Sequence, residues 1–180
     1  EPDSIAYPLR KIFRKHKNFH FRMADVESID PSEKKIITSI GELTYDYLVI
    51  ATGTRTNYFG NENIERNSMP MKTVPQALNI RSLMLQNIEE ADISEDQEKR
   101  DRLLNFVIAG AGPTGVELAG ALAEFRKGIL QHDYPELEED EMNVHLIEGA
   151  DRVLPPMSKK SSKNAQKYLE KLGVQDRKSV

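Results

Sequence analysis

The amino-acid sequence predicts an α/β fold built from parts of two mostly parallel sheets together with a small antiparallel meander. Two nearly continuous apolar runs, Tyr45 to Ala51 and Asn105 to Ala109, have the composition of strands buried on both faces. Each run closes on a glycine, Gly53 or Gly110, and the second continues through a glycine-rich turn into a helix with apolar periodicity. Between Phe19 and Ile40 the pattern changes to short alternating segments broken at Asp30-Pro31-Ser32, which reads as antiparallel hairpins.

Along the chain, Ser4 can cap an amphipathic helix in which Ile5, Leu9, Ile12 and Phe13 share a face and which ends near Asn18. Its Arg10, Arg14, Lys15 and Lys17 suit a helix C-terminus, where cations answer the macrodipole. The meander follows as Phe19 to Met23, Val26 to Ile29 and Lys35 to Thr38, with a further turn at Gly41. After the Tyr45 to Ala51 strand comes a polar stretch, Asn57 to Asn67, and then a helix opened by Thr73 and Pro75 that carries Ala77, Ile80, Leu83, Met84 and Ile88. Ser94-Glu95-Asp96-Gln97 has the capping-box spelling for a short helix to about Leu103. The second strand, Asn105 to Ala109, leads through the glycine turn to a helix reaching roughly Leu130, which Asp133-Tyr134-Pro135 breaks. A third apolar run, Met142 to Ile147, ends on Glu148. The organisation predicted is residues 1–59, a helical connector over 60–104, and residues 105–180.

Composition narrows the function. The chain has 180 residues with 38% hydrophobic and 30% charged side chains, enough for one ordinary core or two incomplete ones. A net charge of −4 argues against a nucleic-acid footprint. Cysteine is absent, which excludes disulfides, thiolate nucleophiles and cysteine-held metals within these residues, so redox chemistry has to come from a cofactor. The four histidines, His16, His20, His132 and His145, have neither ligand nor nucleophile-and-base spacing, and read as structural or surface residues. Glu136 to Glu141 reads as a solvated acidic loop, so no metal site is expected.

The chemistry is carried by Gly110-Ala111-Gly112-Pro113-Thr114-Gly115. Gly110 permits a tight turn, Gly112 lets backbone approach a pyrophosphate without a Cβ in the way, and Gly115 lets the helix pack close to the strand. Free N–H groups and the positive helix end then face the phosphates. Glu148, at the tip of the next strand, can accept both hydroxyls of an adenine ribose. It lies 33 residues past Gly115, against a usual separation of about 20, so the intervening helix and acidic loop must form an insertion.

Taken together, Tyr45 to Gly53, the connector and Val107 to Glu148 resemble the flavoprotein reductases with two Rossmann-like dinucleotide folds, one FAD-type and one NAD-type. Within them the chain is similar to the type II NADH dehydrogenase family, through Ser4-Ile5-Ala6-Tyr7-Pro8-Leu9-Arg10, Gly112 to Gly120, Asp133-Tyr134-Pro135 and Glu148-Gly149-Ala150-Asp151-Arg152-Val153-Leu154-Pro155. The resemblance implies an FAD-dependent oxidoreductase that passes a hydride from NADH to flavin and electrons on to a quinone. It implies a partial FAD-binding region over 1–59, with Ala51, Thr52 and Gly53 near the FAD phosphates or ribitol and Val26 holding the adenine through main-chain groups. It likewise implies a partial NAD(H)-binding region over 105–180. Glu117 would lie beside the nicotinamide and flavin; its other reading is a carboxylate that compensates the helix dipole. The family's upstream FAD phosphate cradle and downstream quinone and membrane-binding regions are not in this sequence, so the chain is expected to be an internal fragment, inactive alone and self-associating through uncovered sheet edges. Its parent would be cytoplasmic and peripheral to the membrane. The competing reading is a non-catalytic NAD-binding or regulatory module.

Overall fold

The computed structural model describes residues 7–178 and has the α/β architecture expected. The chain forms two compact units that divide between Ala77 and Leu78.

In the first unit the opening helix, α1, spans only Leu9–Ile12. The expected cap Ser4 lies outside the described residues, and four helical residues are too few to sustain a longer run unaided. Instead the chain folds back so that Phe13 stacks on Phe19 with ring centroids 4.4 Å apart. The Arg10 guanidinium sits 4.7 Å from the Phe21 ring centroid, so Phe19 to Met23 serves as an aromatic surface and not as a strand.

The antiparallel meander forms from β1 (Val26–Asp30), β2 (Lys35–Thr38) and β3 (Gly41–Thr44), in the order β1-β2-β3. Asp30 fixes the first turn, its Oδ1 accepting the N–H groups of Ser32 (2.9 Å) and Glu33 (3.1 Å). Gly41, with φ of 113°, starts β3 rather than merely ending β2. Tyr45 to Ala51 overturns an expectation: this apolar run pairs with no strand, and Tyr47, Val49 and Ile50 are 94%, 85% and 67% exposed. Its composition suits a buried strand, but the described residues supply no neighbour to complete the ladder. Downstream, part of the polar stretch is helical as α2 (Glu62–Asn67), because Asn61 Oδ1 accepts the Ile64 N–H at 3.1 Å.

Helix α3 (Val74–Asp92) starts as the sequence predicts, with a reciprocal cap between Thr73 and Gln76. In the second unit α3 buries Ile88 and Ala91. Helix α4 (Gln97–Leu103) is capped by Asp96, whose carboxylate accepts the Lys99 N–H at 3.3 Å; Ser94 only braces Asp96 through its N–H. Strands β4 (Asn105–Ala109), β5 (Asn143–Glu148) and β6 (Gln175–Lys178) form a parallel sheet in the order β4-β5-β6. β4 is buried only at Ile108, with Val107 59% exposed, so it is not the strand buried on both faces that its composition suggests: the described residues cover one face alone.

Helix α5 (Pro113–Phe125) and α7 (Lys159–Lys171) are the crossovers of this sheet. Between α5 and the short α6 (Gln131–Asp133) the chain widens into a π-helical turn, Arg126–Leu130, that places Arg126 inside. Its guanidinium donates to the carbonyls of Met142 (3.0 Å) and Leu172 (2.6 Å), tying the start of β5 to the end of α7. The acidic insertion is not simply solvated. Leu137 is buried, and Glu141 forms an ion pair with Arg100 at 2.6 Å with both side chains largely covered. The core of the unit is Leu104, Ile108, Leu122, Met142, Val144 and Leu146 with their neighbours.

Candidate functional site

The glycine turn sits at the carboxyl end of β4, where an open parallel sheet presents its ligand crevice. Gly110 has φ of 102°, a conformation glycine adopts without the penalty of a Cβ. Gly112 is the extended N-cap residue of α5, and a Cβ added there would meet nothing within 4 Å, which is the open approach that a phosphate needs. Gly115 is the opposite case: a Cβ there would collide with the Gly110 carbonyl oxygen and crowd Ile108, so close helix–strand packing requires the glycine. No side chain caps α5 and no acid occupies its first turn, so the positive helix end is left for an external anion.

Glu148 reaches this turn from the tip of β5. Its Oε2 accepts the Ala111 N–H at 2.7 Å and its Oε1 accepts the Ala150 N–H at 2.9 Å. The Ala150 N–H is the main reason the Glu148 carboxyl lies below the usual glutamate range; Ala111 and Gly149 act in the same direction, against partial burial. The acid is therefore ionised and joined to the turn. The 33-residue separation is absorbed by α5, the π-helical turn, α6 and the acidic insertion, leaving the tips of β4 and β5 adjacent, with Ala109 opposite Ile147.

The structure thus brings Gly110, Ala111, Gly112, Pro113, Thr114, Gly115 and Glu148 together. Glu117 is exposed as the fifth residue of α5, beyond the first turn, which removes the basis for its dipole-compensating reading. Val26, Ala51, Thr52 and Gly53 belong to the first unit. Val26 lies on the edge strand of the meander beside a register irregularity, and Ala51 to Gly53 is an exposed irregular segment with Gly53 at φ of 73°. Both stretches offer main-chain groups to solvent, as backbone contact with a dinucleotide requires.

Sequence reasoning used the segment after β5 for the family resemblance but missed its bonds to the glycine turn. Leu154 N–H donates to the Ala111 carbonyl at 2.7 Å, and Ser162 Oγ donates to the Val153 carbonyl at 2.6 Å. Leu154 has φ of 51° although Pro155 follows, and no local sequence signal announces that conformation. Arg152 donates to the Pro155 carbonyl at 2.7 Å, so its guanidinium is engaged within its own loop. Two other concavities lie at the amino ends of β4 and β5 around Asn105 and Asn143, with linings that include Glu138 and Asp140. Those carboxylates disfavour a pyrophosphate, which leaves the glycine turn as the candidate site. Among the described residues no group of side chains could hold a metal ion, and no helix is long and apolar enough to cross a membrane.

Comparison with known proteins identifies the family. The family model for pyridine nucleotide-disulphide oxidoreductases matches residues 1–179. The type II NADH:quinone oxidoreductase NdhA of Mycobacterium tuberculosis is 37% identical over 175 residues, which cover 95% of this chain and 37% of that protein. The mitochondrial external alternative NAD(P)H-ubiquinone oxidoreductase B2 of Arabidopsis thaliana is 34% identical over 186 residues, covering 97% of this chain and 32% of that protein. The chain therefore spans about a third of the length of these relatives. Among solved structures, NDH2 of Plasmodium falciparum in complex with NADH superimposes with a TM-score of 0.75 at 24% identity, covering 86% of this chain and 32% of that one, and shares the fold.

Proposed function

The chain belongs to the pyridine nucleotide-disulphide oxidoreductase family, and we propose from that premise that it supplies the NADH crevice and part of the FAD site of an NADH:quinone oxidoreductase. The observation that carries this reading is the uncapped start of α5, with Gly112 open to solvent and the Glu148 carboxylate bonded to the same turn. The amides at the start of α5 bind the NADH pyrophosphate. Glu148 reads the adenine ribose with the lone pairs left over after Ala111 and Ala150 are satisfied. Glu117, exposed one turn further along α5, orients the nicotinamide end toward the flavin.

In the first unit the main chain at Val26 and at Ala51, Thr52 and Gly53 fits a dinucleotide approached through backbone groups, and these residues hold part of FAD. When bound, FAD supplies a two-electron acceptor that can be reoxidised by a quinone. The protein's contribution is to fix the nicotinamide and flavin in a reactive geometry. The parent protein works at the membrane surface, on its cytoplasmic side.

Relatives named for NADH and for NAD(P)H are both similar to this chain, so nucleotide choice has to be argued from the site. The added phosphate of NADPH would face the ionised Glu148, and two like charges about 4 Å apart repel by about 4 kcal/mol at an effective dielectric near 20. Partly screened by solvent, that repulsion should make NADH bind some tens to hundreds of times more tightly than NADPH. Fluorescence titration of both nucleotides, with the unmodified protein and with Glu148→Ser, tests the reading. Equal binding by the unmodified protein, or an unchanged ratio in the variant, would remove Glu148 from the site.

A further inference from the structure

Backbone hydrogen bonds hold the turn that receives the phosphates, and Ala111 makes two of them. At Gly110 and at Gly112 an added Cβ would meet nothing within 4 Å, so no neighbour fills the side-chain direction at either flank of Ala111. Ala111 between them is fully buried, and its two main-chain groups are taken by the tip of β5 and by the segment that follows it. Its N–H donates to Glu148 Oε2 at 2.7 Å, and its carbonyl accepts the Leu154 N–H at 2.7 Å. The Gly110 N–H, just before it, donates to the Ile147 carbonyl at 2.8 Å.

The partners are themselves anchored. Glu148 Oε1 is held by the Ala150 N–H at 2.9 Å, and the Leu154 carbonyl accepts the Met157 N–H at 2.9 Å. Leu154 keeps a left-handed backbone at φ of 51°, which persists only where surrounding bonds over-determine it.

We propose that Glu148 and the Leu154 N–H form a clamp on Ala111 that sets the phosphate-binding turn, making Glu148 a positioning residue for pyrophosphate as well as the reader of the ribose. This rests on the nucleotide reading above and goes beyond it, because it assigns Glu148 an effect on ligands that have no ribose hydroxyls. A carboxylate can accept both N–H donors, whereas a glutamine amide has one oxygen and must turn its NH₂ toward Ala111 or Ala150.

The test compares ADP with 2′,3′-dideoxy-ADP, which keeps the pyrophosphate and lacks both hydroxyls, on the unmodified protein and on Glu148→Gln by calorimetric titration. The clamp predicts that the variant loses affinity for both ligands, by roughly tenfold, the size expected for one charge-assisted hydrogen bond. A variant that binds dideoxy-ADP as well as the unmodified protein does, while losing ADP, makes Glu148 a ribose reader alone and overturns the clamp. An unmodified protein that binds neither ligand overturns the nucleotide reading itself. Backbone hydrogen exchange without ligand decides the matter even if the variant folds poorly: the Ala111 amide of the unmodified protein should be among the protected ones, and free exchange there would contradict the clamp.

Discussion

Two apolar runs of similar composition meet different fates in this molecule. Asn105–Ala109 becomes β4, with Ile108 nearly buried opposite Leu146 of β5, whereas Tyr45 to Ala51 stays unpaired with Val49 85% exposed. The same contrast holds across the two units. Every buried apolar side chain of the described residues lies at or beyond Ile88, and the first unit buries only Thr38. A run of Val, Ile and Leu specifies a strand only where other elements cover it, because the hydrophobic gain comes from area removed from water. The second unit supplies α5 and the neighbouring strand within a short stretch of chain, and the glycine site is built on that support.

The contrast breaks most clearly if truncation costs the same in both places. Leu146→Ala, in the covered sheet, should destabilise the second unit by about 2–5 kcal/mol in denaturant unfolding, while Val49→Ala should stay within about 0.5 kcal/mol. A comparable loss at Val49 would show that Tyr45 to Ala51 is buried in solution. Gly115→Ala sharpens the point at the site. The added Cβ meets the Gly110 carbonyl, a backbone atom that cannot swing aside, so about 1–3 kcal/mol should be lost together with nucleotide binding.

Acidity probes the second unit through Glu148. Its carboxyl is lower in the folded protein than in the unfolded chain, so its stabilisation is present above the usual glutamate value and is lost as pH falls through the lower folded value. Glu148→Gln should therefore flatten the acid limb of stability in urea unfolding below the usual glutamate value, and an unaltered limb would assign it to other carboxylates. The smallest effect is expected at a helix end: Asp96→Ala removes the α4 cap and should cost about 1 kcal/mol in the same unfolding experiment.

Much of this was legible in the sequence where local rules coincide with tertiary ones. The spelling Gly110 to Gly115, preceded by an apolar strand and followed by a periodic helix, fixed the turn, and Glu148 was found by its place at a strand end despite the long insertion. The helix start at Thr73 and the Asp30 turn were equally readable, being set by near neighbours, whereas the capping box expected at Ser94 gave way to a cap by Asp96. What escaped depends on distant partners. The Leu154 bond to Ala111 and the π-helical inward turn of Arg126 each join residues far apart in the chain. The polar run at Glu62 to Asn67 gave no apolar periodicity, and only the Asn61 cap marked it as helical.

The central claim is that the covered second unit binds nucleotide at the glycine turn, and hydrogen exchange resolved by residue, with and without NADH, tests it most directly. The account predicts slow exchange in β4 and β5 and fast exchange over Tyr45 to Ala51 before ligand is added, then further slowing at Gly112, Thr114 and Gly115 when NADH is present. Unchanged exchange at those three amides under saturating NADH would contradict it.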